Sequence, residues 1–104
     1  MNLSVSEGER PILHLKINMS TSKRGVRVLM IVYNVYRGST LIRQVFQNFP
    51  QGLKIAGNKS FTKSIKLPKN VPLDCFKQGK CSVKIQTNLK TRFGVVPIEY
   101  WLSP

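Results

Sequence analysis

The chain has 104 residues, with 17 lysines and arginines against four acids, a formal net charge of +13 and 41% hydrophobic content. So much apolar content excludes a disordered basic tail, and the longest apolar run, Val28 to Tyr33, is far too short to span a bilayer. The length fits one domain, residues 1–104, and the scarcity of carboxylates argues against acid–base or metal-assisted chemistry.

Residues 1–10 (MNLSVSEGER) are polar and lack the apolar centre of a signal peptide, so they read as a flexible lead-in. This points to a cytoplasmic or nuclear protein, with membrane association through charge as an extension of that reading, or to a secreted one if a leader has been removed. Three N-x-S/T triplets, at Asn2, Asn18 and Asn58, suit secretion.

Leu13 to Met19 alternates, with Leu13, Leu15, Ile17 and Met19 on one face and His14, Lys16 and Asn18 on the other, as in a half-buried strand. Ser20 to Gly25 is turn chemistry. Val26 to Tyr36 is apolar on both faces at its centre and predicts a central strand. Arg37-Gly38-Ser39 predicts a tight turn that pairs Thr40 to Phe46 with it as a hairpin. Asn48 to Gly52 reads as a break, Leu53 to Ala56 as a short extended piece and Gly57-Asn58 as a turn.

Phe61 to Leu67 alternates again, with Phe61, Ile65 and Leu67 inward and Lys63 as the exception on that face. Pro68 to Phe76 holds two prolines and reads as a surface loop. Cys81 to Asn88 is a strand with Val83 and Ile85 inward. Val95 to Leu102 is a strand whose Pro97 cannot donate to a ladder, which places it at an edge or a bulge. No segment has the pattern of an amphipathic helix. The fold expected is all-β, an antiparallel sandwich or small barrel of about six to seven strands.

Catalysis needs titratable groups in sets, and this chain has one His, one Asp and three Glu. His14 falls on the polar face of its strand as a surface histidine. Gly79-Lys80 lacks the glycine and hydroxyl of a phosphate-cradling loop. Cys75 and Cys81 with one distant His fall short of a zinc site and read as a reduced structural pair, a disulfide or, beside Lys77 and Lys80, a redox pair. No catalytic residue, metal or cofactor is expected, and no small-molecule substrate.

The charge carries the functional expectation. No acid occurs from Arg10 to Leu73, where twelve basic residues do. Such an imbalance repels itself, a cost most simply offset by an anionic partner. The candidate anion-binding residues are Lys59, Lys63, Lys66 and Lys69, then Lys77, Lys80 and Lys84 in the next loop and strand. A second cluster, Lys23, Arg24 and Arg27, sits at one hairpin end, with Arg37 and Arg43 at the other. If the strands holding Lys66 and Lys84 pair, the two share a solvent face. The partner expected first is nucleic acid, RNA above all, held through backbone phosphates. The alternative is an anionic membrane surface, as for a viral matrix or accessory protein. Tyr36 and Phe93 are expected to be exposed beside Arg37 and Arg92. The Val95–Leu102 edge offers a route to a homo-oligomer.

Phe61 to Leu67, the following loop, Gly79-Lys80-Cys81-Ser82-Val83-Lys84-Ile85 and the closing apolar strand to Trp101 together resemble the MD-2-related lipid-recognition family. The resemblance covers about two-fifths of the chain and implies a β-sandwich that holds lipid between its sheets. No site residue carries over from it.

Overall fold

A computed structural model describes residues 2–5, 11–22, 24–55, 57–72 and 74–102. Lys23, one of the candidate anion-binding residues, lies outside them. Among these residues, seven strands and one helical turn follow in order: β1 (Asn2–Val5), β2 (Pro11–Ser20), β3 (Arg27–Arg37), β4 (Thr40–Lys54), β5 (Asn58–Lys66), α1 (Asp74–Lys77), β6 (Cys81–Thr91) and β7 (Gly94–Leu102). They form two antiparallel sheets, β1-β2-β5 and β4-β3-β6-β7, so the fold is an all-β sandwich. The chain changes sheet after β2, β4 and β5, and β6 returns to lie beside β3, a Greek-key connection.

The alternating patterns become the core. Leu13, Leu15 and Ile17 of β2 and Phe61 and Ile65 of β5 face Val28, Ile31, Tyr33, Val35, Val83 and Ile85 of the larger sheet, all of them buried. Strand β3 is central and β7 is an edge, as Pro97 requires. Tyr33 donates to Gln47 Oε1 at 2.8 Å, which satisfies its hydroxyl inside the core. Burial, with a smaller effect from Tyr100, pushes the Tyr33 phenol up to about 12.

Two expectations from the sequence need correction. Asn48 to Gly52 does not end a strand, because β4 continues to Lys54. The ladder absorbs the excess as a bulge, in which Leu29 alone on β3 lies opposite Phe49 to Gly52 on β4. Gly52 makes this possible, since it sits at φ +75° and an added Cβ would lie 3.0 Å from Arg27 Cβ. Gly52→Ala is therefore expected to cost about 1–3 kcal/mol in urea denaturation, and an unchanged midpoint would show that the bulge relaxes freely.

The Pro68–Phe76 segment, expected at the surface, instead plugs one end of the sandwich. Leu67, Val71, Cys75 and Phe76 are buried there, and Cys75 and Cys81 are joined as a disulfide with Cα atoms 5.1 Å apart. The turn is stitched by Gln78 N–H to Asp74 O at 2.9 Å and Lys80 N–H to Cys75 O at 3.0 Å. Gly38 N–H reaches Lys80 O at 2.8 Å and ties it to the β3–β4 turn. The two prolines shorten the segment's conformational menu without competing for these donors.

Candidate ligand-binding surfaces

Most of the cations gather at the two ends of the sandwich, with Lys16, Lys63 and Lys84 along the strands between them. At the plugged end, Arg37, Lys66, Lys69, Lys77 and Lys80 are exposed around the β3–β4 turn and the disulfide loop, with Arg43 nearby on β4. At the other end, Arg24, Arg27 and Lys59 are joined by three residues that the sequence reading did not select: Lys54, Lys90 and Arg92. Arg27 pairs with Lys54 on one side and with Lys90 on the other, so three cations stand in a row across β4, β3 and β6. The expected Lys66–Lys84 face does not exist. Strand β5 pairs with β2 and β6 with β3, which puts these lysines on different sheets. Lys63 lies opposite Leu15 on the inward side of β5 and is half-buried.

The same end opens into the space between the sheets. Strand β1 pairs only with Pro11 to His14, so among the described residues Leu15 to Ser20 of β2 have no strand on that side. Strand β7 overhangs the smaller sheet. Val96 and Ile98 share the inward face of β7 with Tyr100, yet they are 44% and 41% exposed. The result is a groove of about 710 Å³ between β2 and β7, floored by Ile17, Val26, Ile55, Leu89, Val96 and Ile98. Burial raises the Tyr100 phenol above its ordinary value, which keeps it neutral beside the groove. Val26, Thr91 and Val96 also line an adjoining recess of about 540 Å³ walled by Arg24, Arg92 and Phe93. Phe93 is 88% exposed at the tip of the β6–β7 turn, as expected from its position. An apolar trough thus runs into a mouth walled by two guanidinium groups and an exposed ring.

The outer face of the larger sheet is of another kind. A chain of amides crosses all four strands: Gln44 donates to Asn34 Oδ1 at 2.7 Å, Asn34 to Gln86 Oε1 at 3.0 Å, and Gln86 to Glu99 Oε2 at 3.2 Å. Lys84 closes the chain at 3.4 Å from Glu99. The hydrogen bonds from Gln86 and Lys84, together with the charge of Lys84, lower the Glu99 carboxyl from its ordinary value. Beside this chain Tyr36 packs on Trp101, with ring centroids 5.5 Å apart, and Lys84 Nζ lies 5.6 Å from the Trp101 ring. Tyr36, expected to be exposed, is therefore only partly so.

On the opposite sheet, His14 is hydrogen-bonded to Ser64 Oγ at 2.7 Å, and Ser60 donates to Asn18 Oδ1 at 2.7 Å. No group of three or more metal-ligating side chains occurs among the described residues, and no helix among them is long and apolar enough to cross a membrane. No protein-family model matches this chain, and no curated protein is significantly similar to it.

Proposed function

We propose that this chain is a non-enzymatic binding protein for anionic amphiphiles. The hydrocarbon chain lies in the groove between the sheets, and the acidic head sits at the mouth with Arg24 and Arg92. The observation that carries this reading is the continuity of the two recesses, since Val26, Thr91 and Val96 belong to both the apolar groove and the cationic mouth. The groove falls within the roughly 300–1,000 Å³ typical of ligand pockets. Each methylene buried there adds about 0.8 kcal/mol, so four more carbons are worth on the order of a hundredfold in affinity. The Cys75–Cys81 disulfide suits an oxidising compartment and so favours a secreted protein.

The test is titration with lysophosphatidic acids and lysophosphatidylcholines of matched chain length, below their micellar concentrations. Affinity is expected to rise with chain length and to favour the phosphate-headed series. Arg24→Glu with Arg92→Glu should weaken that series by at least about tenfold while sparing the zwitterionic one. Affinity independent of chain length would sink the groove reading.

A second reading is favoured by the row Lys54–Arg27–Lys90, which suits the phosphates of single-stranded RNA. It is preferred only if a labelled RNA oligomer binds more tightly than every lipid and loses affinity steeply with salt.

A further inference from the structure

The outer face of the four-stranded sheet is distinct from the groove, since the sheet itself lies between them. Its β6–β7 half differs from the rest of this molecule in charge. The chain carries only four acids, and one of them, Glu99, stands on this face halfway along the edge strand β7 and neutralises Lys84. An exposed carboxylate there disfavours phosphate polymers and acidic membranes alike. What remains is a neutral surface of paired side-chain amides, a carboxylate and aromatic rings. Met30, Val32, Gln86, Asn88, Pro97 and Glu99 line a depression of about 500 Å³ on it, bordered also by Thr87 and Ile98, which line the groove on the other side of the sheet as well. Trp101, one strand face along β7 from that depression, is 56% exposed.

We propose that this face is a second binding site, for a neutral oligosaccharide. A pyranose ring offers an apolar C–H face and a rim of hydroxyls that both donate and accept. The first matches the part of the Trp101 ring left exposed between Tyr36, which packs on it at an angle, and Lys84 Nζ, which stands 5.6 Å from its centroid. The second matches side chains with capacity for both roles, namely Gln86 and Asn88, and the acceptor oxygens of Glu99. Pro97 and Trp101 lie on the same face of one strand, about 13 Å apart at ordinary strand rise, which is a platform for a short chain of sugars and not for a single ring. The amide chain is fastened at both ends, by Gln44 on β4 and by Lys84 through Glu99, so these groups are already oriented before a ligand arrives.

Trp101 is the single tryptophan of the chain, so its emission reports directly on this face. The probes are neutral tetrasaccharides of β-linked glucose, β-linked N-acetylglucosamine and α-linked glucose. At least one is expected to give a saturable change in Trp101 emission, undiminished at high salt. By calorimetry, Trp101→Ala should weaken that sugar at least about tenfold, and Trp101→Phe, which keeps a ring, should recover part of the loss. Circular dichroism separates these effects from misfolding. Absence of a saturable change with every tetrasaccharide up to about 10 mM would overturn the proposal, and so would a single-stranded RNA oligomer that shifts Trp101 more tightly than any sugar. The lipid titration is a separate readout, since Trp101 is not among the residues that line the groove.

Discussion

Phe76→Ala is expected to remove about 3–5 kcal/mol of stability, the cost of a large buried ring replaced by a cavity. Phe76 is 1% exposed and plugs the end of the sandwich, next to disulfide-bonded Cys75 and in the same core cluster as Leu67 and Val71. Domains of this size have only about 5–15 kcal/mol in total, and the self-repulsion of a +13 chain draws on the same reserve. The variant should therefore be close to unfolding at room temperature. Urea is the suitable denaturant, because guanidinium would screen the charges whose repulsion matters here. A loss under about 1 kcal/mol would mean that the Pro68–Phe76 segment does not seal the core.

The second large effect is expected on breaking the Cys75–Cys81 bond. The loop is short, a sequence separation of 6, so the chain-entropy argument gives about 2 kcal/mol, or a fall of roughly 10 °C in Tm. Cys75→Ser with Cys81→Ser should show that fall, and reductant should bring the native chain to the same midpoint without moving the variant's. Melting curves unaffected by both treatments would show that the bond does not contribute in solution.

These two predictions concern the segment that sequence patterning described least well. Two prolines, a glycine and three lysines between Leu67 and Cys81 make the stretch look solvent-exposed. Its buried residues, Val71, Cys75 and Phe76, have neither period two nor a full helical period, because the chain turns back on itself within a single helical turn. The strands were far more legible. Period two identifies Leu13, Leu15 and Ile17 of β2, Phe61, Lys63 and Ile65 of β5 and Val83 and Ile85 of β6 as inward, because a half-buried strand has only two faces to choose from, while the buried Thr87 farther along β6 is not among them.

Registers between strands are less visible, and the site depends on them. A regular ladder from the Arg37–Thr40 pair would put Pro50 opposite Arg27. The irregularities in β4 bring Lys54 there instead. The mouth of the groove also needs Arg92, which is local only to β6 and β7. Lys66 and Lys84 misled in the opposite sense. Both lie on well-read strands, but nothing in either strand says which sheet it joins. The groove was illegible for a related reason: Val96 and Ile98 have an ordinary inward pattern, and their exposure follows from the smaller sheet stopping short of β7.

The Greek-key order has a consequence for how the chain reaches this structure. Among the described residues, tight turns join β3 to β4 and β6 to β7 as hairpins, whereas Ile17 must find Phe61 and Tyr33 must find Ile85. Neither sheet is complete until strands from the second half of the chain have arrived, so contact order is high and folding belongs in the millisecond-to-second range of β-sandwiches. During that interval the β3–β4 hairpin, with its VLMIVY centre, has no strand from β6 to cover its second edge. The surplus of like charge flanking it, from Arg24 and Arg27 at one end to Arg37 and Arg43 at the other, then acts as a gatekeeper that keeps nascent copies apart. The density of cations that handicaps the finished domain is, on this view, protective while the domain is being made.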